Sequence, residues 1–466
     1  MSGMSMPEKT IVPDHSKDVA TSHSLSTLLE EFPLPRQQGP QWYNRFRYGF
    51  FSLYRRLFCL VVLANIATIA VMMVRISRHD NLWKTKPFTY SDATTAVGAN
   101  LTAAVVLRKE HVINFISRAA VSLPHFFPLA IRKHVAKVCS YGGVHSGCAV
   151  SSLLWYIFFT VLLVRDLKGD EIVVDALFVT TVLIITLLVV LISTAHPRIR
   201  ARYHDPWENC HRYAGWTTVA VVWVQVFLLA SITAKQQDPD KRFSHYGTVL
   251  IKTPLFWFMI TITCCVIYPW LHLRKRSFEV EQLSNHALRL NFDYRQVRVG
   301  GAVRLSDAPL LHNHAFAVIP NPDGSRGYMR DWTDKVINDP KRPSRLWMKG
   351  LPALGVVHIA HLFKPLVVVA TGSRIGPCLS FLQMYPQWPV RIVWSARLPE
   401  QTYGFKILDA ILKTDRDAVI IDTKKTGKPD LAGLFMLLIG NQKVTEDVVY
   451  TLESRAVPAY GAIFDS

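Results

Sequence analysis

At 466 residues the chain has room for two or three domains, and with half of its residues hydrophobic it is too apolar for an average soluble protein of that size. A formal net charge of +19 would suit a nucleic-acid partner, but there is no zinc finger, RNP-like motif or basic repeat. Nucleic acid is therefore excluded as the expected partner, and the positive charge is read as flanking membrane segments beside anionic lipid. Seven cysteines lie mostly in or beside apolar stretches and lack zinc-ligand spacing, which points to reduced thiols rather than a secreted disulfide framework.

Residues 1–50 are expected to be a disordered cytosolic tail, because positions 1–40 are polar, rich in Ser and Pro, and lack the apolar core of a signal peptide. A membrane domain is expected over 51–276. Six stretches, 57–74, 91–107, 143–164, 171–194, 213–233 and 247–270, approach the about 20 apolar residues that a spanning helix needs. The second is the most polar, with Ser91, Asp92 and Asn100. Connecting segments that would face the cytosol with the N-terminus inside hold roughly twice as many Lys and Arg as the others. That bias predicts a multi-pass protein with both termini cytosolic and the lipid bilayer as a partner. Region 108–141 is too polar to span, carries Arg118, Arg132, Lys133 and Lys137, and reads as an interfacial helical segment.

After Arg276 the texture changes to short alternating strands with turns. Residues 277–362 read as a small β-barrel, with strands at Ala287–Phe292 and Ala315–Ile319. Over 363–466 apolar runs alternate with helical patterns. Leu366–Ala370, Arg391–Trp394 and Ala418–Ile421 are candidate parallel strands, with helices near 377–385 and 404–413, which predicts an α/β doubly wound sheet. The first of these strands runs into Ala370-Thr-Gly-Ser-Arg-Ile-Gly-Pro377. Glycines there allow a pyrophosphate to approach the backbone, and the following helix start offers free N–H groups. Arg397, just past the second strand, is placed to meet a 2′-phosphate, which favours NADPH and leaves NADH open.

Three motifs carry a resemblance. Arg304-Leu-Ser-Asp-Ala-Pro-Leu-Leu-His-Asn-His314-Ala-Phe316 resembles a flavin-binding strand usually written His-Pro-Phe-Thr/Ser, Asp331-Trp332-Thr333 resembles the Gly-Asp-Trp-Thr element after it, and Thr371–Pro377 resembles a nicotinamide pyrophosphate loop. Together with the domain order they resemble the ferric reductase and NADPH oxidase superfamily, whose soluble part is ferredoxin–NADP reductase-like. Within it the fungal TmpA-type integral membrane oxidoreductases are the most similar, from 422–430 and the ending Glu453–Ser466. The resemblance implies FAD on Arg304, Ser306, His314, Phe316, Asp331, Trp332 and Thr333, and a nicotinamide cofactor on Thr371, Gly372, Ser373, Gly376 and Pro377. Phe316, with Tyr460 or Phe464, would pack on the isoalloxazine, ordinary core packing being the alternative. Ala315 and Ala317 depart from the flavin motif, and Leu438-Ile-Gly-Asn441 stands where many relatives have Cys-Gly-Pro, so no catalytic thiol is expected.

His145 and His211 lie at the cytosolic starts of the third and fifth spans, at matched depth, as a bis-imidazole haem b requires. The resemblance implies that role, with His204 as an alternative to His211. The other reading is that they are interfacial side chains and no haem binds. Four turns deeper stand Phe158 or Phe159 and about Gln225, which cannot ligate a second haem. The expected function is a membrane-bound oxidoreductase passing electrons from NAD(P)H through FAD to an unknown small-molecule acceptor on the cytosolic side, in secondary metabolism or signal production. A non-catalytic sensory or binding protein with a relict reductase fold is the alternative. A transporter finds little support, since no repeated half is visible.

Overall fold

The computed structural model describes residues 35–78, 88–167, 172–237, 242–282, 288–292, 298–320, 326–330, 345–427, 437–439 and 442–461. Asp331, Trp332, Thr333, Asn441 and Phe464, all singled out in the sequence, lie outside them.

The chain turns helical earlier than a tail over 1–50 would. Gln41–Asn44 is α-helical and Arg45–Phe50 continues as a π-helix. The Ser/Pro texture stops at Pro40, and aromatic side chains take over. Phe46 stacks on Phe50 and Phe51 at 6.1 and 5.4 Å, and the Asn44 amide donates to Gln38 O at 2.7 Å.

Long helices follow: α1 Leu53–Arg78, α2 Tyr90–Val106, then α3 Glu110–Val121 and α4 Leu129–Val135, then α5 Gly142–Asp166, α6 Ile172–Thr194, α7 His204–Gln237, α8 Arg242–Lys252 and α9 Pro254–Leu271. Five described stretches are long and apolar enough to cross a membrane: Leu53–Ser77, Leu129–Asp166, Ile172–Thr194, His204–Gln236 and Pro254–Leu271. Of the six expected spans, the second is not among them; α2 has 17 residues and carries the polar Asp92 in its first turn. The last expected span, 247–270, is broken at Thr253, where Pro254 opens a new helix at a position that needs no amide donor.

Small residues set the helix spacing. Gly143 and Gly147, one turn apart on α5, face α1 so closely that an added Cβ would sit 2.2 Å from Tyr54 O at the first and 2.9 Å from Val61 Cβ at the second. Close backbone approach of this kind is how helices associate when the surroundings are themselves apolar. Two polar knots cross the bundle. Asn65 Oδ1 accepts from Asn100 Nδ2 at 3.0 Å and from Trp155 Nε1 at 2.8 Å. Tyr156 OH donates to Gln225 Oε1 at 2.8 Å, and Gln225 Nε2 donates to Thr181 Oγ1 at 2.9 Å.

The segment expected at the interface, 108–141, forms α3, α4 and a 3₁₀ turn at Ala136–Tyr141. One side of it leaves Phe115 and Phe126 exposed. The other packs Ala120 and Ala136 against Ile359 and Leu362 of the C-terminal half.

That half begins with an antiparallel sheet of β1 Arg274–Ser277, β2 Glu279–Gln282, β3 Leu288–Asn291, β4 Gly301–Ser306, β5 His314–Pro320, β6 Arg326–Arg330 and β7 Arg345–Leu354. The strand order is β1-β7-β4-β5-β6-β3-β2. Among the described residues β1 and β2 stand at its edges, and no pairing closes it into the small barrel expected for 277–362. It also starts at Arg274, inside the range assigned to the helical domain, because β1 pairs with β7 from Arg274↔Met348 onward.

The expected doubly wound sheet is present as β8 Leu366–Thr371, β9 Val390–Ala396, β10 Val419–Asp422, β11 Leu437–Ile439 and β12 Tyr460–Gly461, with α10 Ile375–Met384, α11 Phe405–Thr414 and α12 Gln442–Glu453. All its pairings are parallel, in the order β10-β9-β8-β11-β12. Apolar, largely β-branched runs such as Val367-Val-Val are buried by helices on both faces, which is why they read as continuous apolar strands. The N-terminal and interfacial segments clasp α12: Lys137 Nζ lies 2.5 Å from Glu453 Oε1, and Gln38 N–H donates to Ser454 O at 2.9 Å.

Candidate functional site

In a parallel sheet with order 3-2-1-4-5, the chain reverses its winding direction beside the first strand, and the crevice opens at the carboxyl ends there. β8 is that strand, and the loop expected to bind nucleotide leaves its carboxyl end. Gly372 takes φ +57, a left-handed conformation that favours glycine. Its carbonyl accepts from Trp394 Nε1 at 2.9 Å, so the fully buried Trp394 of β9 pins the loop. Thr371, Gly372 and Ser373 stay partly exposed, while Gly376 is buried under the first turn of α10 and Pro377 lies within that turn. The five residues expected here thus sit together, with the N-terminus of α10 and its free N–H groups behind them. Cys378, one residue on, is buried and its thiol is pushed up to about 12 by that burial, so it serves packing rather than chemistry.

Arg397 is exposed just after β9, where it was expected. Next to it Leu398 takes φ +47, and its N–H donates to Asp422 Oδ1 at 2.9 Å. The same carboxylate oxygen accepts from Lys424 N at 3.0 Å. Buried Asp422 therefore ties together the turns after β9 and β10. Arg374, Arg397, Lys424 and Lys425 all follow the carboxyl ends of adjacent parallel strands and form a basic rim. The two lysines were not singled out in the sequence; their place after a third parallel strand was the available signal.

The flavin-motif residues divide. Arg304 pairs across the sheet with Ala315 and Lys349 and reaches Glu110 Oε1 at 2.9 Å, with Glu110 only 2% exposed. Gly350, at φ +70, makes room for that carboxylate, since a Cβ there would lie 2.8 Å from Glu110 Oε1. One edge of the Arg304 guanidinium is therefore committed to α3 rather than left for a ligand. Beside it, burial and the neighbouring Arg212 and Arg304 lower Lys349 to about 8, with its ammonium 3.7 Å from the Trp270 ring. Burial also lowers Lys109, which donates to Cys265 O. Ser306 is buried and donates to Ala308 O at 2.7 Å. Phe316 sits opposite Val303 and His314 opposite Leu305, which puts both on the face away from Arg304. Phe316 packs into the sheet core, the bland alternative for its ring. Tyr460 likewise packs, partly buried, against the core of the parallel-sheet domain.

His145 stands in the first turn of α5 with Nδ1 against Ala104 O at 2.8 Å, which fixes the ring and leaves Nε2. His211 Nδ1 is buried without a hydrogen-bond partner. An orphaned buried imidazole nitrogen on α7 and an oriented imidazole on α5 are the donor types a bis-histidine group takes. His204, the alternative ligand, is turned elsewhere, with Nδ1 3.0 Å from Asp205 Oδ1. Deeper in the bundle Phe158 stacks on Phe88 at 5.9 Å, Phe159 is fully buried and Gln225 is engaged by Tyr156 and Thr181. That level is filled with packed side chains.

A family model described as "Adenylate-forming reductase 03009, C-terminal domain" matches residues 356–466. Along nearly its whole length the chain is similar to two curated proteins of Coprinopsis cinerea. It is 40% identical over 450 residues to adenylate-forming reductase 03009, covering 93% of this chain and 42% of the relative. It is 38% identical over 486 residues to adenylate-forming reductase 06235, covering 98% and 45%. The chain thus spans less than half the length of the relatives it matches. Among solved structures, a flavohemoglobin from Malassezia yamatoensis with bound FAD and haem aligns at TM-score 0.39 and 14% identity, covering 80% of this chain and 98% of that one. A ferredoxin-NADP+ reductase from Plasmodium falciparum with 2′P-AMP aligns at 0.33 and 10%, covering 42% and 97%. Neither score is high enough to carry chemistry across.

Proposed function

We propose that the chain is a membrane-bound oxidoreductase that draws electrons from NADPH through FAD in its C-terminal half and delivers them on the cytosolic side. The observation that carries this is the Thr371–Pro377 loop at the switch point of the parallel sheet, backed by a helix N-terminus and rimmed by Arg374, Arg397, Lys424 and Lys425. A dinucleotide pyrophosphate matches the loop, and a 2′-phosphate matches the rim. The relatives' names support reductive chemistry, and the apolar helices of TM-spanning length support a bilayer. Flavin would be held across β4 and β5 on the face that carries Arg304, with the free edge of the Arg304 guanidinium toward its phosphates. Bound flavin supplies the conversion of a two-electron hydride donor into one-electron steps. The chain's own part is to orient the two ring systems and exclude water.

A single haem b between His145 and His211 belongs to the same reading. The unpartnered His211 Nδ1 and the oriented His145 ring favour it, and the packed level of Phe158, Phe159 and Gln225 favours a route that goes no deeper. The test is the visible spectrum of the full chain purified in detergent, before and after NADPH. A flavin band that bleaches with NADPH supports the oxidoreductase; absence of both flavin and nucleotide affinity would leave the sensory protein with a relict fold. A Soret band abolished in His145→Ala and in His211→Ala supports the haem, and a haem-supplemented preparation without one removes it.

A further inference from the structure

A second cluster of ligating side chains stands apart from His145 and His211, where the first turn of α7 meets the segment leading into β5. Asp205, His312 and His314 each offer one ligand atom, and these atoms all lie within 4.8 Å of one another. His312 Nε2 is 3.8 Å from Asp205 Oδ2, and the two imidazole rings are 4.9 Å apart at 73°. An ion with bonds of about 2.0–2.1 Å keeps its donors roughly 3–3.5 Å apart. The three side chains therefore need to close by only on the order of 1 Å, within reach of small side-chain rotations.

The surroundings hold this cluster in place. Glu208 and Arg212, about one and two turns further along α7, pair with each other and grip the incoming segment. Glu208 accepts from Asn313 N at 3.1 Å and from Asn313 Nδ2 at 3.2 Å, and Arg212 donates to the carbonyls of Leu310 and Leu311. The backbone on either side of His312 is thereby fixed to the helix that carries Asp205. His204 adds an outer contact: its Nδ1 lies 3.0 Å from Asp205 Oδ1, the oxygen other than the one nearest His312, and its ring stacks near His314 at 6.4 Å. Outer contacts of that kind orient a ligating carboxylate.

We propose that Asp205, His312 and His314 form a binding site for a divalent transition-metal ion, with zinc as the occupant, that ties the antiparallel sheet to α7. Two imidazoles with one carboxylate select zinc and its neighbours over magnesium or calcium, which take all-oxygen shells. Three protein ligands leave one position for water. Because the ligands come from α7 and from the entry to β5, occupation would lock the sheet onto the helical half. The site goes beyond the electron-transfer reading and does not depend on it.

The experiment is calorimetric titration of the chelator-treated full chain in detergent with Zn²⁺, together with the visible spectrum on adding Co²⁺. One tight site is expected, with Co²⁺ bands typical of a four-coordinate nitrogen and oxygen shell. Asp205→Asn and His312→Ala should each abolish that site, and His204→Phe should weaken it by about 10–100-fold. His134→Ala, on α4, should leave it intact. Retained thermal unfolding in the variants separates loss of the site from misfolding. The proposal is overturned if the wild-type chain shows no such site and no Co²⁺ bands, or if Asp205→Asn and His312→Ala bind as tightly as wild type.

Discussion

The buried chain Tyr156–Gln225–Thr181 gives a test of how the middle of the helical bundle is held. All three side chains are at most 3% exposed. Replacing Gln225 by Leu keeps similar bulk but leaves the Tyr156 hydroxyl without its acceptor, while Thr181 still donates to Leu177 O at 2.7 Å. One orphaned donor costs about 1–3 kcal/mol in an aqueous protein core, whereas coupling measured between membrane helices averages about 0.6 and reaches about 1.7 kcal/mol. We therefore expect Gln225→Leu to destabilise by about 1–2 kcal/mol, a fall in Tm of a few degrees at about 2–4 °C per kcal/mol. Tyr156→Phe should cost about 1 kcal/mol by stranding Gln225 Oε1. The double variant strands neither group, so it should be more stable than the sum of the two single losses predicts, by about 1 kcal/mol. The assay is thermal unfolding of the four proteins in one detergent. Strict additivity, or a Gln225→Leu protein indistinguishable from wild type, would refute the buried chain as a structural element.

Gly143→Ala places a Cβ 2.2 Å from Tyr54 O. It should sharply reduce the yield of folded protein by forcing α1 and α5 apart, whereas Gly215→Ala, with nothing within 4 Å, should be neutral; size-exclusion profiles compare them. Arg397→Ala should raise the KM for NADPH by about tenfold, roughly 1.4 kcal/mol, and leave NADH almost unchanged; equal losses for both would remove Arg397 from the 2′-phosphate. Burial holds the His358 imidazolium below its ordinary value, helped by His361, Arg298 and Arg118. Below about pH 6.5 the unfolded chain therefore takes up a proton that the folded chain refuses. Stability should fall as pH drops through that window, and the fall should be shallower in His358→Gln; parallel pH profiles would count against it. Phe158→His combined with Gln225→His should add no second haem, because Phe88 and Thr181 still pack that level; a doubled haem-to-protein ratio would contradict this.

What the sequence made legible is what depends on local pattern. The three parallel strands are found within about two residues of their expected bounds because buried β-branched runs and the glycines after β8 are local signals. The helices are equally plain wherever apolar runs are long, and they blur at α2 and at Pro254, where polar residues or a proline interrupt the run. What escaped is what depends on long-range pairing. Arg304 reads as a ligand-binding arginine on its strand, and nothing local announces that Glu110, almost two hundred residues earlier, will take one edge of it. Asp205 and His312 are likewise unremarkable until the fold brings α7 against β5. The split of the flavin motif follows from strand alternation: residues read as one cluster in a line of letters fall on opposite faces of the sheet once β4 and β5 are in register.

How deep electrons would travel in the proposed reaction turns on the same distinction. His145 and His211 stand in the N-terminal turns of two long helices, His145 oriented through Nδ1 and His211 with Nδ1 unpartnered. Four turns deeper the sequence offers Phe and Gln, and the structure adds that they are not merely unable to ligate but already committed. Gln225 spends its oxygen on Tyr156 and its nitrogen on Thr181, and Phe158 and Phe159 fill the space beside it. A redox group at that level would have to displace a satisfied polar chain and a packed aromatic pair. The cost of both falls on the same few residues, which is why the substrate of the proposed reaction is to be sought on the side of the bundle where the two histidines stand.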